Sequence, residues 1–201
     1  MDQKIVATED KIKQAFIALM KTKPFEKLTV SDITKAAKIN RGTFYLHYVD
    51  KYALLAHYEA DLTTRLAQFF QADFADTMIM PAKSQAKTYP VVEEVVGLVA
   101  SEFDLFKVLL GPAGDPRFEY QLKKMVRAAI SQRLHQLKNR IALTPDIPVD
   151  YAWELIISGL FSIIQTWLQA AEPETPETVC AIIMKTRFLS PYDLLGIHDG
   201  V

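Results

Sequence analysis

The stretch that decides the fold runs from Leu28 to Lys51 and reads LTVSDITKAAKINRGTFYLHYVDK. It contains two short helical patterns on either side of a tight connection. Thr29 opens the first pattern, because its hydroxyl can accept a hydrogen bond from a free N–H of the first turn and Asp32 can answer with its carboxylate. Apolar residues then recur at helical spacing and predict a buried stripe, formed by Ile33, Ala36 and Ala37.

The connection and the second pattern complete a recognisable motif. Lys38 and Ile39 form the connection, and Asn40 is expected to cap a second helix that runs from Arg41 to Tyr48. Two helices joined by so short a turn indicate a helix-turn-helix, whose second helix lies in the DNA major groove with its N-terminal residues at the base edges.

The segments T-V-S-D-I-T-K-A-A-K-I, R-G-T-F-Y-L-H-Y and D-K-Y-A-L-L resemble the TetR family of bacterial transcription regulators between Asp10 and Tyr58. The resemblance implies an all-α fold, with a three-helix DNA-binding domain at residues 1–52. A long helix then leads into a helical regulatory and dimerisation domain at residues 53–201. Ser31 stands where some members have a base-reading arginine, and Gly42 has no side chain, so the resemblance does not extend to the operator sequence.

The candidate DNA contacts follow from side-chain chemistry and from this resemblance. Arg41 can fork to guanine, Thr43 can offer a methyl or a hydroxyl group, and Ser31 can reach only a close edge or phosphate. Tyr45, His47, Thr29 and Lys51 are better placed for phosphate oxygens. Tyr45 or Tyr48 could instead pack in the core, and His47 could be a solvated polar residue; we expect Tyr48 in the core, and Tyr45 and His47 at the DNA. The full candidate set is Thr29, Ser31, Arg41, Gly42, Thr43, Tyr45, His47 and Lys51.

The charge distribution agrees with a nucleic-acid partner at one end of the chain. The 201 residues carry a net charge of −1, and half of them are apolar, which is ordinary globular composition. Residues 1–58 hold ten basic and six acidic side chains, a net +4, and the remainder carries −5. Such asymmetry favours a DNA-facing segment on a neutral body, although a scattered solvated surface would have the same count.

Helical periodicity continues through the rest of the chain. We expect a short arm at residues 1–7, a first helix from Thr8 that ends before Pro24, and a long fourth helix capped by Asp50. Loops are predicted at Thr77–Pro90 and Leu143–Pro148. Further helices are predicted over Val91–Leu110, from Pro116 to about Ile141, over Tyr151–Ala171 and from Pro176 to Leu189.

The helix predicted at 151–171 is apolar on nearly all faces. Its run LIISGLFSII is too short for a membrane span of roughly 20 apolar residues. A helix of this kind must be covered on most sides, and a second subunit is the simplest cover. We therefore predict a homodimer through the helices near 151–171 and 176–189, with close crossing at Gly159.

The sequence carries none of the enzyme signatures for a nucleophile elbow, a zinc protease or a phosphate-binding loop. We expect no enzyme activity, no cofactor and no metal site. The single Cys180 cannot form an internal disulfide and is expected to be buried. No hydrophobic signal segment precedes the first helix, so we expect a cytoplasmic protein.

The leading hypothesis is a regulator that binds a pseudo-palindromic double-stranded DNA operator as a homodimer. It would be a repressor released by a small molecule bound in the C-terminal domain. One alternative is a co-regulator of the same fold that binds no ligand and acts through a protein partner. Another is a helical enzyme or carrier. Six aromatic residues and a methionine could line an effector pocket, with Tyr89, His135 and Gln165 as polar anchors: Phe103, Phe106, Phe118, Met125, Trp153, Phe161 and Trp167. Aromatic residues at helical spacing are more often plain core, so the sequence names no ligand and assigns no pocket residue.

Overall fold

The computed structural model describes residues 3–71, 89–138 and 147–186, and all regular structure in these ranges is helical. The all-α fold predicted from the sequence is confirmed. The helices are α1 Gln3–Met20, α2 Val30–Ala37, α3 Arg41–His47, α4 Lys51–Gln71, α5 Pro90–Ser101, α6 Phe103–Leu109, α7 Pro116–Lys138, α8 Val149–Gln169 and α9 Pro176–Thr186, with a single 3₁₀ turn at Phe25–Lys27.

The chain forms two compact units, and each unit is built from two separate segments of the sequence. The first comprises Met1–Arg65 and Phe103–Leu122, and the second comprises Leu66–Glu102 and Lys123–Val201. The first unit therefore contains α6 and the start of α7 in addition to α1–α3 and most of α4. The predicted boundary between the DNA-binding and regulatory domains at residue 52 remains a prediction. The two units are defined by packing, and the first includes segments that lie after residue 52.

The core of the first unit holds the helix-turn-helix in place. Helix α1 packs against α2 and α6, and α2 packs against α3. Phe16 and Phe44 are fully buried at this junction, and each such side chain stabilises the fold by roughly 1.5–3 kcal/mol. The shared core predicted from the sequence is present at Phe25, Leu28, Ile33 and Phe44, whereas Ile39 is only half-buried.

Two predicted boundaries were wrong. Helix α1 begins at Gln3, so residues from Gln3 onward are not an arm; no proline or glycine precedes Thr8 to stop the helix. The single helix predicted over Val91–Leu110 is two helices, because Glu102 leaves helical geometry at φ −115° and ψ 28°. The predicted loop residues 77–88 and 143–146, and the end of the last helix at Leu189, lie outside the described residues.

The second unit packs α9 against both α5 and α8. Trp167 of α8 is buried, and its indole N–H donates to the carbonyl of Glu174 at 2.8 Å, which fixes the turn into α9. Cys180 is buried as predicted, and burial, together with the nearby Glu93 and Glu177 carboxylates, raises the pKa of its thiol. None of the helices in the described ranges is long and apolar enough to cross a membrane.

Candidate nucleic-acid interface

The first helix of the motif begins with the capping box that the sequence predicts. The Thr29 hydroxyl accepts from the Asp32 N–H at 3.1 Å, and the Asp32 carboxylate accepts from the Thr29 N–H at 3.0 Å. Lys23 also donates to Asp32 at 2.6 Å. The hydrogen bonds from Lys23 and Thr29 lower the pKa of Asp32 to about 2. The hydrogen bonds among Lys23, Thr29 and Asp32 therefore fix the start of α2.

The buried stripe of α2 differs by one position from the prediction. Ile33 and Ala37 are buried, but Ala36 is exposed and Thr34 takes its place at 3% exposure. The Thr34 hydroxyl is satisfied because it donates to the Ser31 carbonyl at 3.2 Å. A hydroxyl that bonds back to its own helix can be buried at little cost, which the apolar pattern alone did not reveal.

The turn between α2 and α3 depends on a left-handed residue. Lys38 has φ 55° and ψ 44°, and it is the one non-glycine residue of positive φ within the described ranges. The Ile39 N–H donates to the Thr34 carbonyl at 3.0 Å and closes the end of α2. This left-handed step turns the chain toward α3.

Helix α3 presents one face to the core and leaves the other open. Phe44 is fully buried and Tyr48, just after the helix, is 7% exposed, so the prediction that Tyr48 is a core residue is confirmed. Asn40 occupies the N-cap position, but its side chain makes no capping hydrogen bond. The predicted capping role of the Asn40 side chain was therefore wrong; the backbone carbonyl of Asn40 instead accepts from the Phe44 N–H at 3.2 Å.

The open face of α3 carries several of the predicted contact residues. Arg41 and Gly42 are exposed, Thr43 is half-buried, and Tyr45 keeps 48% of its surface accessible. An Arg41 N–H donates to the Tyr45 hydroxyl at 3.4 Å, one helical turn away. A Cβ added at Gly42 would meet no atom within 4 Å, so the glycine leaves the backbone open to an approaching molecule.

The two predicted contacts at the start of α2 are also accessible. Thr29 is exposed and Ser31 is half-buried. The hydroxyl of Thr29 is already used in the capping box, so this residue has less freedom to meet a phosphate than the sequence suggested.

His47 and Lys51 point toward protein groups. His47 Nδ1 lies 3.5 Å from the Glu9 carboxylate of α1, and its side chain is only 14% exposed. The Lys51 ammonium donates to the carbonyls of Phe25, Glu26 and Leu28 at 2.8–2.9 Å. Its three N–H groups are thus all engaged. The expectation that Lys51 points at a phosphate does not match these contacts.

Sequence reasoning missed two exposed features beside the predicted contacts. Asn40 is exposed with an amide that no capping bond engages, although its N-cap position had suggested a structural role. Leu46 and Val49 are 86% and 78% exposed. Helical spacing could have predicted the exposure of both apolar residues. Phe44 and Tyr48, four residues apart, occupy the inward face of α3, so Leu46 and Val49 fall on other faces.

The capped first helix, the left-handed turn and the open second helix define a DNA-binding regulator of the helix-turn-helix class. The model for bacterial regulatory proteins of the tetR family matches residues 14–58, and a transcriptional regulator C-terminal region model matches residues 87–187. The chain belongs to the TetR family of transcriptional regulators.

One sequence relative is also a transcriptional regulator, and two solved structures share the fold. An uncharacterised HTH-type transcriptional regulator, YxbF of Bacillus subtilis (strain 168), is 25% identical over 175 residues; the match spans 86% of this chain but only 43% of that protein. A TetR transcriptional regulator from Streptococcus agalactiae 2603V has a similar fold, with a TM-score of 0.59, 23% identity and coverage of 92% of this chain and 96% of that chain. A transcriptional regulator from Aquifex aeolicus VF5 gives a TM-score of 0.60 at 13% identity, over 90% and 97% of the two chains.

Proposed function

We propose that the chain is a repressor that binds a pseudo-palindromic operator as a homodimer and leaves it when a small molecule binds the C-terminal domain. The observation that carries this proposal is the open face of α3, where an arginine, a bare glycine and a tyrosine are accessible together. Regulators of this family bind DNA operators and act as dimers, and the cytoplasm is the compartment we expect.

The proposed DNA contacts fall into two groups, those to base edges and those to phosphate oxygens. Arg41 would fork to a guanine edge, and the free amide of Asn40 suits an adenine edge. Tyr45, with Thr29 and Ser31, would position the helix on phosphate oxygens, while Gly42 and Thr43 would allow close approach. His47 and Lys51 of the original candidate set would act through the protein, since Lys51 donates to backbone carbonyls of residues 25–28 and His47 lies 3.5 Å from the Glu9 carboxylate.

The DNA contacts can be tested by fluorescence anisotropy on the DNA flanking the protein's own gene. Gly42→Ala should keep or raise stability, because the added Cβ meets no protein atom and alanine favours a helix by about 1 kcal/mol. It should nevertheless weaken operator binding at least tenfold, as should Tyr45→Ala.

The control for Tyr45→Ala is Tyr120→Ala on α7, since Tyr120 is exposed to a similar degree at 64%. Operator affinity should be unchanged in that variant. If Gly42→Ala and Tyr45→Ala both bind DNA as the wild type does, α3 is not the reading helix.

The proposed dimer interface uses the outer face of α8. Tyr151 and Leu155 are 69% and 70% exposed in the single chain, which leaves large apolar side chains in water. A Cβ at Gly159, one turn further along, would meet nothing within 4 Å. The groove between α8 and α9 beside it is lined by residues such as Ile163 and Ile182. Covering this face with its symmetry mate would give a four-helix interface.

Gly159→Arg tests that interface. In the single chain the new side chain has open space, so folding should be retained, but in the dimer it would sit at the crossing point. We expect the variant to sediment as a monomer at concentrations where the wild type is a dimer. Gly97→Arg on α5 is the matched control, because a Cβ at Gly97 also meets nothing. A dimeric Gly159→Arg variant would contradict the proposed interface.

The alternative function is a co-regulator that binds no small molecule and acts through a protein partner. The exposed Leu46 and Val49 at the end of α3 favour it, because apolar side chains beside a DNA-reading helix suit a protein surface. A thermal-shift screen separates the two functions. Stabilisation by a metabolite supports the effector-controlled repressor, whereas saturable capture of a protein with no metabolite response supports the co-regulator.

A further inference from the structure

Leu46 of α3 is the most exposed large apolar side chain among the described residues, with 86% of its surface in water. A single exposed leucine is ordinary on a protein surface. Leu46 differs from such a residue in two respects, because it lies on the open face of α3 and because Val49, 78% exposed, extends the apolar surface beside it. Both features call for an apolar group on the molecule that α3 meets.

Helical geometry directs Leu46 away from the protein. Successive residues of an α-helix are about 100° apart around its axis, so Leu46 and Phe44, two positions apart, point to nearly opposite sides. Phe44 is fully buried in the core of the first unit. Leu46 therefore projects outward from that unit.

Leu46 also shares its side of α3 with a proposed DNA contact. Gly42 precedes it by four residues, the interval that places two positions one above the other on a helix surface. A Cβ added at Gly42 would meet no atom within 4 Å, so the backbone there is open to close approach. A DNA surface that approaches Gly42 would reach Leu46 one turn further along the helix.

The chemistry of leucine limits what Leu46 can recognise in DNA. Its side chain has no hydrogen-bond donor or acceptor, so it cannot bond to phosphate oxygens or to the polar groups of the bases. The C5-methyl group of thymine is the apolar group that base pairs present in the major groove, and apolar side chains recognise it there. Contact between the two removes apolar surface of both from water, which is favourable.

The co-regulator alternative assigns Leu46 to a protein surface instead. The position of Leu46 favours DNA, because a protein seated on it would also cover the open backbone at Gly42, one turn away on the same side. Helix α3 would then be closed to the operator. Only DNA satisfies Leu46 and leaves Gly42 in contact with the same partner that Arg41 and Tyr45 are proposed to bind.

We propose, on the basis of the DNA-reading role proposed for α3, that Leu46 contacts the methyl group of a thymine in the major groove. Leu46 would thereby make operator recognition depend on a T·A pair at one position of each half-site. Arg41 and Asn40 supply the polar contacts to base edges, and Leu46 adds an apolar one. Leu46 is in this sense a specificity-determining residue that adds no charge to the interface.

The test uses DNA duplexes from the region flanking the protein's own gene, in which footprinting first locates the half-sites. Single thymines of one half-site are then replaced by deoxyuridine, which lacks the methyl group and keeps the pairing edge. We expect the wild type to bind one of these duplexes about fourfold more weakly in anisotropy titrations, the effect of one buried methyl group. Leu46→Ala should bind the intact duplex more weakly than the wild type, and should bind both duplexes equally.

Two further variants serve as controls. Leu46→Met keeps an apolar side chain of similar volume, so it should retain the preference for thymine over deoxyuridine. Val49→Ala removes a neighbouring exposed apolar side chain just beyond α3 and should retain the preference as well. All three variants should unfold at the wild-type temperature, because positions 46 and 49 are exposed.

The outcomes separate this contact from the proposed function. If the wild type does not bind the intact duplex, both proposals fail. If the wild type binds but no replaced thymine weakens binding, or if Leu46→Ala keeps the full preference for thymine, the methyl contact alone is overturned. The same holds if Val49→Ala, rather than Leu46→Ala, removes the preference. A Leu46 side chain that meets a protein or a deoxyribose would leave the thymine preference unchanged in Leu46→Ala.

Discussion

At the scale of single residues, Lys38 is the place within the described ranges where a non-glycine backbone takes a positive φ. Its φ of 55° places a side chain in the left-handed region, which costs an ordinary residue roughly 1–2 kcal/mol compared with glycine. A glycine at this position would avoid that cost, but part of the gain would be offset because glycine loses more backbone entropy on folding. The connection of the motif therefore holds a strain that a single substitution can release.

We predict that Lys38→Gly stabilises the protein by up to about 1 kcal/mol in urea denaturation. Lys35→Gly is the control, since Lys35 is also exposed but lies inside α2, where glycine should destabilise by about 1 kcal/mol. A loss of stability in Lys38→Gly would mean that the turn does not adopt this conformation in solution.

At the scale of the elements, Lys51 joins the start of α4 to the 3₁₀ turn that precedes α2. Its ammonium bonds to three carbonyls of residues 25–28 and lies 4.8 Å and 5.1 Å from the ring centroids of Phe25 and Tyr52. The Phe25 carbonyl also accepts from the Leu28 N–H at 3.0 Å, and the lysine adds a donor to this carbonyl and to those of Glu26 and Leu28 at the end of the turn. The long helix is thereby attached to the DNA-reading motif.

We predict that Lys51→Met, which keeps the alkyl stem, destabilises the protein by about 2 kcal/mol, because bonds to a charged donor are lost at partly buried carbonyls. Lys27→Met in the same turn should change stability little, since Lys27 is exposed. If Lys51→Met instead leaves the denaturation midpoint unchanged and only reduces the salt dependence of DNA binding, Lys51 is a phosphate contact as first expected.

At the scale of the whole molecule, the half-buried side chain of Glu59 should make stability depend on pH near neutrality. One of its oxygens has no hydrogen-bond partner among the described residues. Burial, with a further contribution from the Asp115 carboxylate and partial relief from Arg117, raises the pKa of Glu59 from 4.5 to about 7. The folded state thus holds this proton more tightly than the unfolded chain does, so stability falls as pH rises from about 4.5 through about 7.

We predict that the wild type is more stable at pH 5.5 than at pH 8, and that Glu59→Gln removes most of this difference while having its largest stabilising effect at pH 8. Thermal unfolding across this range measures both effects. Asp32 titrates near pH 2 and does not interfere, because the stability it adds is lost only as pH falls from about 3.8 through about 2. An unchanged slope in Glu59→Gln would show that another group carries the pH dependence.

The sequence by itself determined the class of the fold and the position of the DNA-reading motif. Thr29 and Asp32 form a capping box through groups three residues apart, and Phe44 and Tyr48 take core positions through helical spacing. Such features depend on near neighbours along the chain, so residue type and interval are sufficient to predict them.

Tertiary structure alone decided what each polar side chain of the motif faces. Lys51 meets carbonyls about 25 residues away, and His47 meets Glu9 of the first helix. The Tyr58 hydroxyl is buried with no hydrogen-bond partner among the described residues, and this too could not be predicted from the sequence. A long flexible side chain can reach several partners of similar energy, and which partner it bonds is fixed only when distant segments pack together.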